Sequence, residues 1–220
     1  MSVPSPTSDP AAPARPRRAR GRGDELRDEL LDAAEALLRE QGGQNGLSIR
    51  AITKRAGVSP MALYLHFEDR EQLLWELHDR GYRRFHERLL EAAAAAPDPG
   101  EAILAVGREY MRYAEEEPEL YAVLFGPDRL ESDQPEGDYE DPGMSTFDDV
   151  IALVQNAMDA GYAEPGDART TAVGLWSNMH GFVMLRNCKQ KIDWPDAETF
   201  LLGAGRGWLG LRTPEAGTGR

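Results

Sequence analysis

The sequence predicts an all-α protein of about nine helices, with a small N-terminal three-helix unit followed by a larger helical one. Three observations carry this. Apolar residues recur at helical spacing from residue 24 to residue 209, no stretch alternates apolar and polar residues as a half-buried strand does, and Gly, Pro and capping residues interrupt the pattern at helix-length intervals. With 220 residues, 41% of them apolar and 29% charged, the chain can bury a sizeable core. No window approaches the run of about 18 apolar residues that spans a bilayer. The N-terminus lacks the apolar stretch of a secretory signal, and the single Cys188 has no partner for an internal disulfide, so a cytoplasmic protein is expected.

Residues 1–23 consist of Pro, Ala, Ser, Gly and Arg with little to bury, and are expected to form a disordered basic arm. The first helix starts at Asp24, aligns Leu26, Leu30, Ala33, Leu37 and Leu38, and stops at Gly42-Gly43. Ser48 can cap a short second helix that buries Ile49, Ile52 and Ala56 and ends at Gly57. Ser59 caps a third, with Pro60 at its first position, where the missing N–H costs nothing. Two short helices joined around a glycine form a helix-turn-helix, so residues 24–75 are assigned to one domain and residues 76–220 to a second. Asp69 and Gln72 start a long fourth helix with Leu73, Leu77, Gly81, Phe85 and Leu89 on one stripe. A fifth opens at Asp98-Pro99 and a sixth at Pro118. Residues 126–143 are acidic and rich in Pro and Gly, and read as a mobile loop. A seventh helix begins at Ser145 or Thr146 and runs to Ala160, and two more span about 167–188 and 196–209.

The net charge of −13 is unevenly placed. Residues 1–91 carry fifteen basic and fifteen acidic side chains, whereas residues 92–220 carry ten and twenty-three. Within the neutral part lie two basic islands: the arm, with Arg15, Arg17, Arg18, Arg20 and Arg22, and residues 41–67, which hold Arg50, Lys54 and Arg55 but no acid. Local charge decides what a surface can hold, so the overall acidity does not exclude nucleic acid.

Residues 47–74, LSIRAITKRAGVSPMALYLHFEDREQLL, resemble the DNA-binding domain of the tetracycline-repressor (TetR) family of bacterial regulators through SIRAI, RAGVS and LYLHF, followed by a basic residue at Arg70. Independently of that likeness, Ser48 and Ser59 stand at helix N-termini, where free N–H groups and a hydroxyl hold a phosphate oxygen. The resemblance implies that Tyr64, His66, Arg70 and Lys54 position the third helix on phosphates while Pro60, Met61, Ala62 and Leu65 face the base edges. None of those four can make bidentate contacts to guanine or adenine, which leaves thymine methyls, DNA shape or another residue for readout. Tyr64 and His66 also admit a reading as satisfied surface residues. The arm, extended, reaches about 30 Å, enough for Arg18, Arg20 and Arg22 to enter a neighbouring minor groove; a merely solvating tail is the other reading.

In the C-terminal half, LWSNMHGFVMLR at residues 175–186 and PELYAVLF at residues 118–125 resemble one C-terminal subclass of the same family. Trp176 and His180 lie four apart on one helix face, suited either to packing or to a ligand. Tyr110, Met111, Tyr121, Phe125, Phe147, Ile151, Met158 and Met179 complete a candidate apolar pocket, although such stripes also serve as plain core. The last helix holds Gly203, Gly205 and Gly207, with Gly210 after it; each glycine within a helix costs about 1 kcal/mol relative to Ala, which calls for close helix packing. The family pairs its last two long helices across a two-fold axis, which implicates Val183, Phe200, Leu201, Ala204 and Trp208 in a homodimer.

The chain is thus expected to be a homodimeric DNA-binding regulator, a repressor of a near-palindromic operator released by a small molecule. That effector is expected to be mostly hydrophobic, and neutral or cationic given the acidity of residues 92–220. No metal, cofactor or membrane partner is expected, and no nucleophile–base arrangement of an enzyme is present among Cys188, His180 and the acids. A helical protein-interaction or small-molecule-binding module that keeps the fold without binding an operator is the alternative, and the apolar third helix gives it its basis.

Overall fold

The computed structural model describes residues 23–43, 47–126 and 142–211. These residues form nine helices: α1 (Gly23–Gln41), α2 (Ile49–Ala56), α3 (Pro60–Leu63), α4 (Arg70–Ala94), α5 (Pro99–Glu116), α6 (Pro118–Phe125), α7 (Pro142–Asp159), α8 (Ala168–Cys188) and α9 (Ala197–Leu209). The arm and most of the segment 126–143 lie outside the described residues.

The capping residues act as the sequence requires. Side-chain oxygens of Ser48, Ser59, Asp69, Asp98, Asp167 and Asp196 each accept a backbone N–H in the first turn of the helix they precede. Gly57 ends α2 at φ 69°, a left-handed conformation that only glycine adopts readily. Two boundaries differ from expectation. Helix α7 begins at Pro142, earlier than Ser145, because a proline in the first turn forfeits no helical hydrogen bond. Helix α3 closes at Leu63, so Tyr64, Leu65 and His66 stand on a tight turn instead of on the helix. Phe67, 1% exposed, bonds its N–H to the Leu63 carbonyl at 3.0 Å while His66 uses the same acceptor at 2.9 Å, and this turns the chain into the core.

Helix α4, about 37 Å long, is the axis of the molecule and packs against α1, α5, α6 and α7. Its stripe of Leu73, Leu77, Gly81, Phe85 and Leu89 is buried as its spacing dictates. One core cluster runs continuously from Leu30 on α1 through Leu63 and Phe67 to Phe182 on α8 and Leu201 on α9. A second, smaller one joins Ile103, Val154, Met158, Leu175 and Leu209. Helix α1 is also fastened by charge. Glu35, 3% exposed, accepts from Arg84 and is ion-paired with Arg80 at 3.2 Å and Arg39 at 3.6 Å, and Arg39 in turn bonds Glu117 at 2.8 Å.

The glycines of α9 meet the expectation only in part: Gly205 is buried, and a Cβ on it would lie 2.7 Å from the Leu211 side chain and 3.5 Å from that of Leu104 on α5. Gly203 and Gly207 face open space, whereas a Cβ on Gly107 of α5 would lie 2.7 Å from the Leu201 side chain and one on Gly174 of α8 would lie 2.5 Å from the Trp208 ring. Helix α9 is therefore seated by glycines on its neighbours. Leu201 and Val183, expected in a seam between subunits, are 5% and 7% exposed within one chain and belong to its core. Replacing Leu201 by Ala should lower the free energy of urea unfolding by about 2–5 kcal/mol, as core truncations do, while leaving the sedimentation coefficient of the native protein unchanged; a lower sedimentation coefficient with little loss of stability would return Leu201 to a subunit interface.

Candidate nucleic-acid interface and ligand cavity

The tip of the helix-turn-helix is built on three buried anchors, Ile52, Leu63 and Phe67, exposed by no more than 1%. They fix the outer face. Met61, Leu65 and Tyr64 project from it at 71%, 77% and 49% exposure, with Ser59 and Pro60 also exposed, Ala62 and His66 half-buried, and Ser48 and Lys54 exposed on the α2 side. The Ser48 and Ser59 oxygens accept from Ala51 and Ala62 at 3.2 and 3.3 Å, so their capping role is occupied and each O–H remains a donor. Arg55 pairs with Glu40 at 2.7 Å, an acid just outside the acid-free stretch. Arg70 donates its Nε to the Leu47 carbonyl at 2.7 Å, which ties the start of α4 to the residue preceding the α2 cap. Arg18, Arg20 and Arg22 lie outside the described residues.

The C-terminal helices enclose a cavity of about 460 Å³. Of the residues expected to line a pocket, Tyr110, Phe125, Phe147, Trp176 and Met179 do so. Tyr121 and His180 stand behind them. Ile151 and Met158 are corrected to the second core cluster, because α7 turns Phe147 and Val150 towards the cavity and Val154 and Met158 away from it. Met111 borders a separate groove with Phe182 and Val183. The wall that the sequence reading missed comes from α4, with Tyr82, Phe85 and Leu89, together with Val106, Val150 and Arg169. The spacing of the apolar ones marks them as inward-facing, but periodicity does not say whether the space opposite is filled.

A chain of hydrogen bonds runs through the wall. Tyr121 Oη is 2.7 Å from His180 Nδ1 and 2.8 Å from Tyr110 Oη, and Tyr110 Oη is 3.3 Å from the same His180 nitrogen. Burial raises the Tyr110 phenol and pushes that of Tyr121 up to about 12, and it lowers the His180 imidazole below its ordinary value. With His180 neutral and its Nδ1 an acceptor, Tyr121 O–H donates to His180 and Tyr110 O–H donates to Tyr121.

For the expected dimer face, Phe200 stacks on Phe182 at 4.1 Å, Ala204 is half-buried, and Trp208 covers Gly174 while keeping 49% of its surface exposed. Val173, Met184 and Leu185 on α8 are exposed apolar residues on the outside of the same helix pair. Among the described residues no helix is long and apolar enough to cross a membrane, and no group of three or more His, Cys, Asp or Glu could hold a metal ion.

Comparison with known proteins converges on one family. Residues 30–77 match the model described as bacterial regulatory proteins, tetR family, and residues 103–199 match that described as tetracyclin repressor-like, C-terminal domain. The HTH-type transcriptional regulator YobS of Bacillus subtilis is 26% identical over 163 residues, 73% of this chain and 78% of that protein. A solved structure of a protein of unknown function from Rhodococcus sp. RHA1 superposes with a TM-score of 0.71 at 29% identity, covering 84% of this chain and 95% of that one. RolR in complex with its ligand resorcinol shares the fold, with a TM-score of 0.61 at 17% identity over 87% of this chain and 90% of that one.

The depressed imidazole of His180 sets a direction for pH. Its folded value lies below the unfolded one near 6.5, so the unfolded chain binds more protons between the two, and stability falls as pH drops through about 6.5 towards the folded value. Melting temperatures measured across pH 5–8 should show that slope in the parent protein and a shallower one in His180→Gln.

Proposed function

Because the chain belongs to the TetR family of helix-turn-helix transcriptional regulators, we propose that it is a ligand-responsive repressor. It acts in the cytoplasm as a homodimer on a near-palindromic operator and releases that DNA when a small molecule enters the α4–α8 cavity. One observation carries this reading: a single helix serves both ends. Leu73 and Leu77 near the start of α4 lie in the same core cluster as Leu63 and Phe67 beneath the DNA-facing tip, and Tyr82, Phe85 and Leu89 further along wall the cavity. A ligand that shifts α4 therefore shifts the tip, provided it binds one arrangement more tightly than the other. The division into residues 24–75 and 76–220 falls within α4 and marks two roles of one continuous core. RolR, with resorcinol as its ligand, supports the reading as a neighbour in fold.

On DNA, α3 and the turn after it occupy the major groove, Tyr64, His66, Ser48, Ser59 and Lys54 hold phosphates, and the arginine arm adds contacts alongside. Two such tips in a dimer sit about 34–36 Å apart, one turn of duplex. The seam is placed on the outward faces of α8 and α9, through Val173, Met184 and Trp208, since Leu201 and Val183 are committed to the core. Arg70, anchored on Leu47, contributes by orienting the tip as well as by its charge.

Tyr64→Ala and His66→Ala should each weaken operator binding about tenfold or more, the effect of losing a hydrogen bond to a charged group, with the melting temperature retained. Deleting residues 1–22 should flatten the dependence of log K on log salt by up to about five units. If binding and salt slope are those of the parent in all three variants, measured by fluorescence anisotropy on an operator selected from genomic fragments, the docking face is wrong and the protein-interaction reading gains. A cavity filled by Val150→Trp should leave operator binding in place and abolish release by inducer.

A further inference from the structure

The overall acidity of residues 92–220 favours a neutral or cationic effector, but the cavity itself carries the opposite sign. Its lining contains one charged side chain, Arg169, beside aromatic and aliphatic groups, Thr146 and the phenol of Tyr110. The phenol belongs to the wall relay, in which Tyr110, Tyr121 and His180 Nδ1 bond to one another. The interior therefore offers stacking and apolar contact, from Phe125, Phe147 and Trp176 above all, and no formal charge to answer a charged group deep inside. Arg169 stands at the second position of α8 with its side chain 60% exposed, paired with Asp148 at 3.2 Å. Asp148 is 62% exposed as well, and an ion pair so open to water is worth little and is readily exchanged for another carboxylate in the same geometry. A guanidinium presents two parallel N–H donors to an oxyanion, the arrangement best matched by a carboxylate.

On the reading that this cavity holds the effector, we propose that the effector is an apolar monocarboxylate: a hydrocarbon or aromatic body occupies the 460 Å³ interior and its carboxylate takes the place of Asp148 on Arg169. The charge stays at the exposed mouth, where desolvation is small, and the body supplies most of the affinity.

The test uses the full chain and four probes, 1-naphthoate and decanoate and the primary amide of each, titrated by isothermal calorimetry at low salt. The acids should bind at least tenfold more tightly than their amides, and the better of the two acids tells an aryl from an alkyl body. Arg169→Gln should bring acid and amide to equal affinity, Arg169→Lys should restore part of the preference, and Asp148→Asn, which removes the competing carboxylate, should tighten the acids alone. Equal binding of acid and amide by the parent protein, or a preference that survives Arg169→Gln, overturns the anion site while leaving the cavity as an effector site. Failure of all four probes to bind the parent, with Val150→Trp indistinguishable from it, overturns both.

Discussion

The fold hangs on a buried carboxylate. Glu35 sits on the inner face of α1, where an unpaired charge would be intolerable, and it is held by Arg80 and Arg84 from α4 with Arg39 of its own helix nearby. Burial pins the geometry, since the carboxylate cannot move away from these guanidinium groups without being stranded. The guanidinium of Arg39 extends the set to Glu117, at the junction of α5 and α6. Helix α1 is thereby locked to the middle of α4 and to the base of the ligand-facing helices by directional bonds, where apolar packing alone would permit sliding. Arg80 adds a bond to Asp32, one turn away on α1. The DNA-facing unit is thus a rigid body mounted on α4, not a domain on a tether.

That mounting makes α4 the element that the two ends of the molecule share. Along it and across from it runs a row of rings in contact: Trp75 with His78 at 5.4 Å, His78 with Tyr82 at 4.8 Å, Tyr82 with Phe125 at 5.5 Å and Phe125 with Trp176 at 6.4 Å. Packed rings move by discrete rearrangement because interiors are dense and compress little. A molecule pressed against Phe125 and Tyr82 meets the near end of this row, and the far end lies within two turns of the Asp69 cap. His86 bonds Asp149 at 2.7 Å and ties α4 to α7 on the flank of the same cavity. The helix is accordingly gripped from the cavity side by α6 and α7 and from the helix-turn-helix side by α1.

Much of this was legible in the sequence because local chemistry writes it there. Ser48, Ser59 and Asp69 cap, Gly57 takes the left-handed turn, and the α4 stripe is buried to its last leucine, all from rules that involve neighbours in the chain. What was not legible depends on distant partners. Ile151 and Met158 share a stripe with Phe147, but α7 is wide enough to serve two cores, and only the position of α8 decides which side chains see a void. Leu201 and Val183 look like seam residues because an apolar face on a terminal helix has two possible destinations, another subunit or Gly107 and its surroundings. Arg169 was passed over because a basic residue after a helix cap reads as surface. Arg70, recognised from a motif, proved to have a backbone carbonyl as a partner 23 positions earlier in the chain, a contact that no local pattern announces.

The tip of the helix-turn-helix carries one more consequence, and it concerns temperature. Met61 and Leu65 hold bare hydrocarbon in water at the outermost point of the molecule. Any surface that accepts them gains by removing that hydrocarbon from solvent, so their share of the binding free energy is entropic near 25 °C and is accompanied by a negative heat-capacity change. Hydrophobic association of this kind weakens on cooling, whereas contacts made by arginines to phosphates respond chiefly to salt. A surface that took up both this hydrocarbon and a row of arginines would be held by two terms with separate controls, one set by the ionic medium and one by the warmth of the cell.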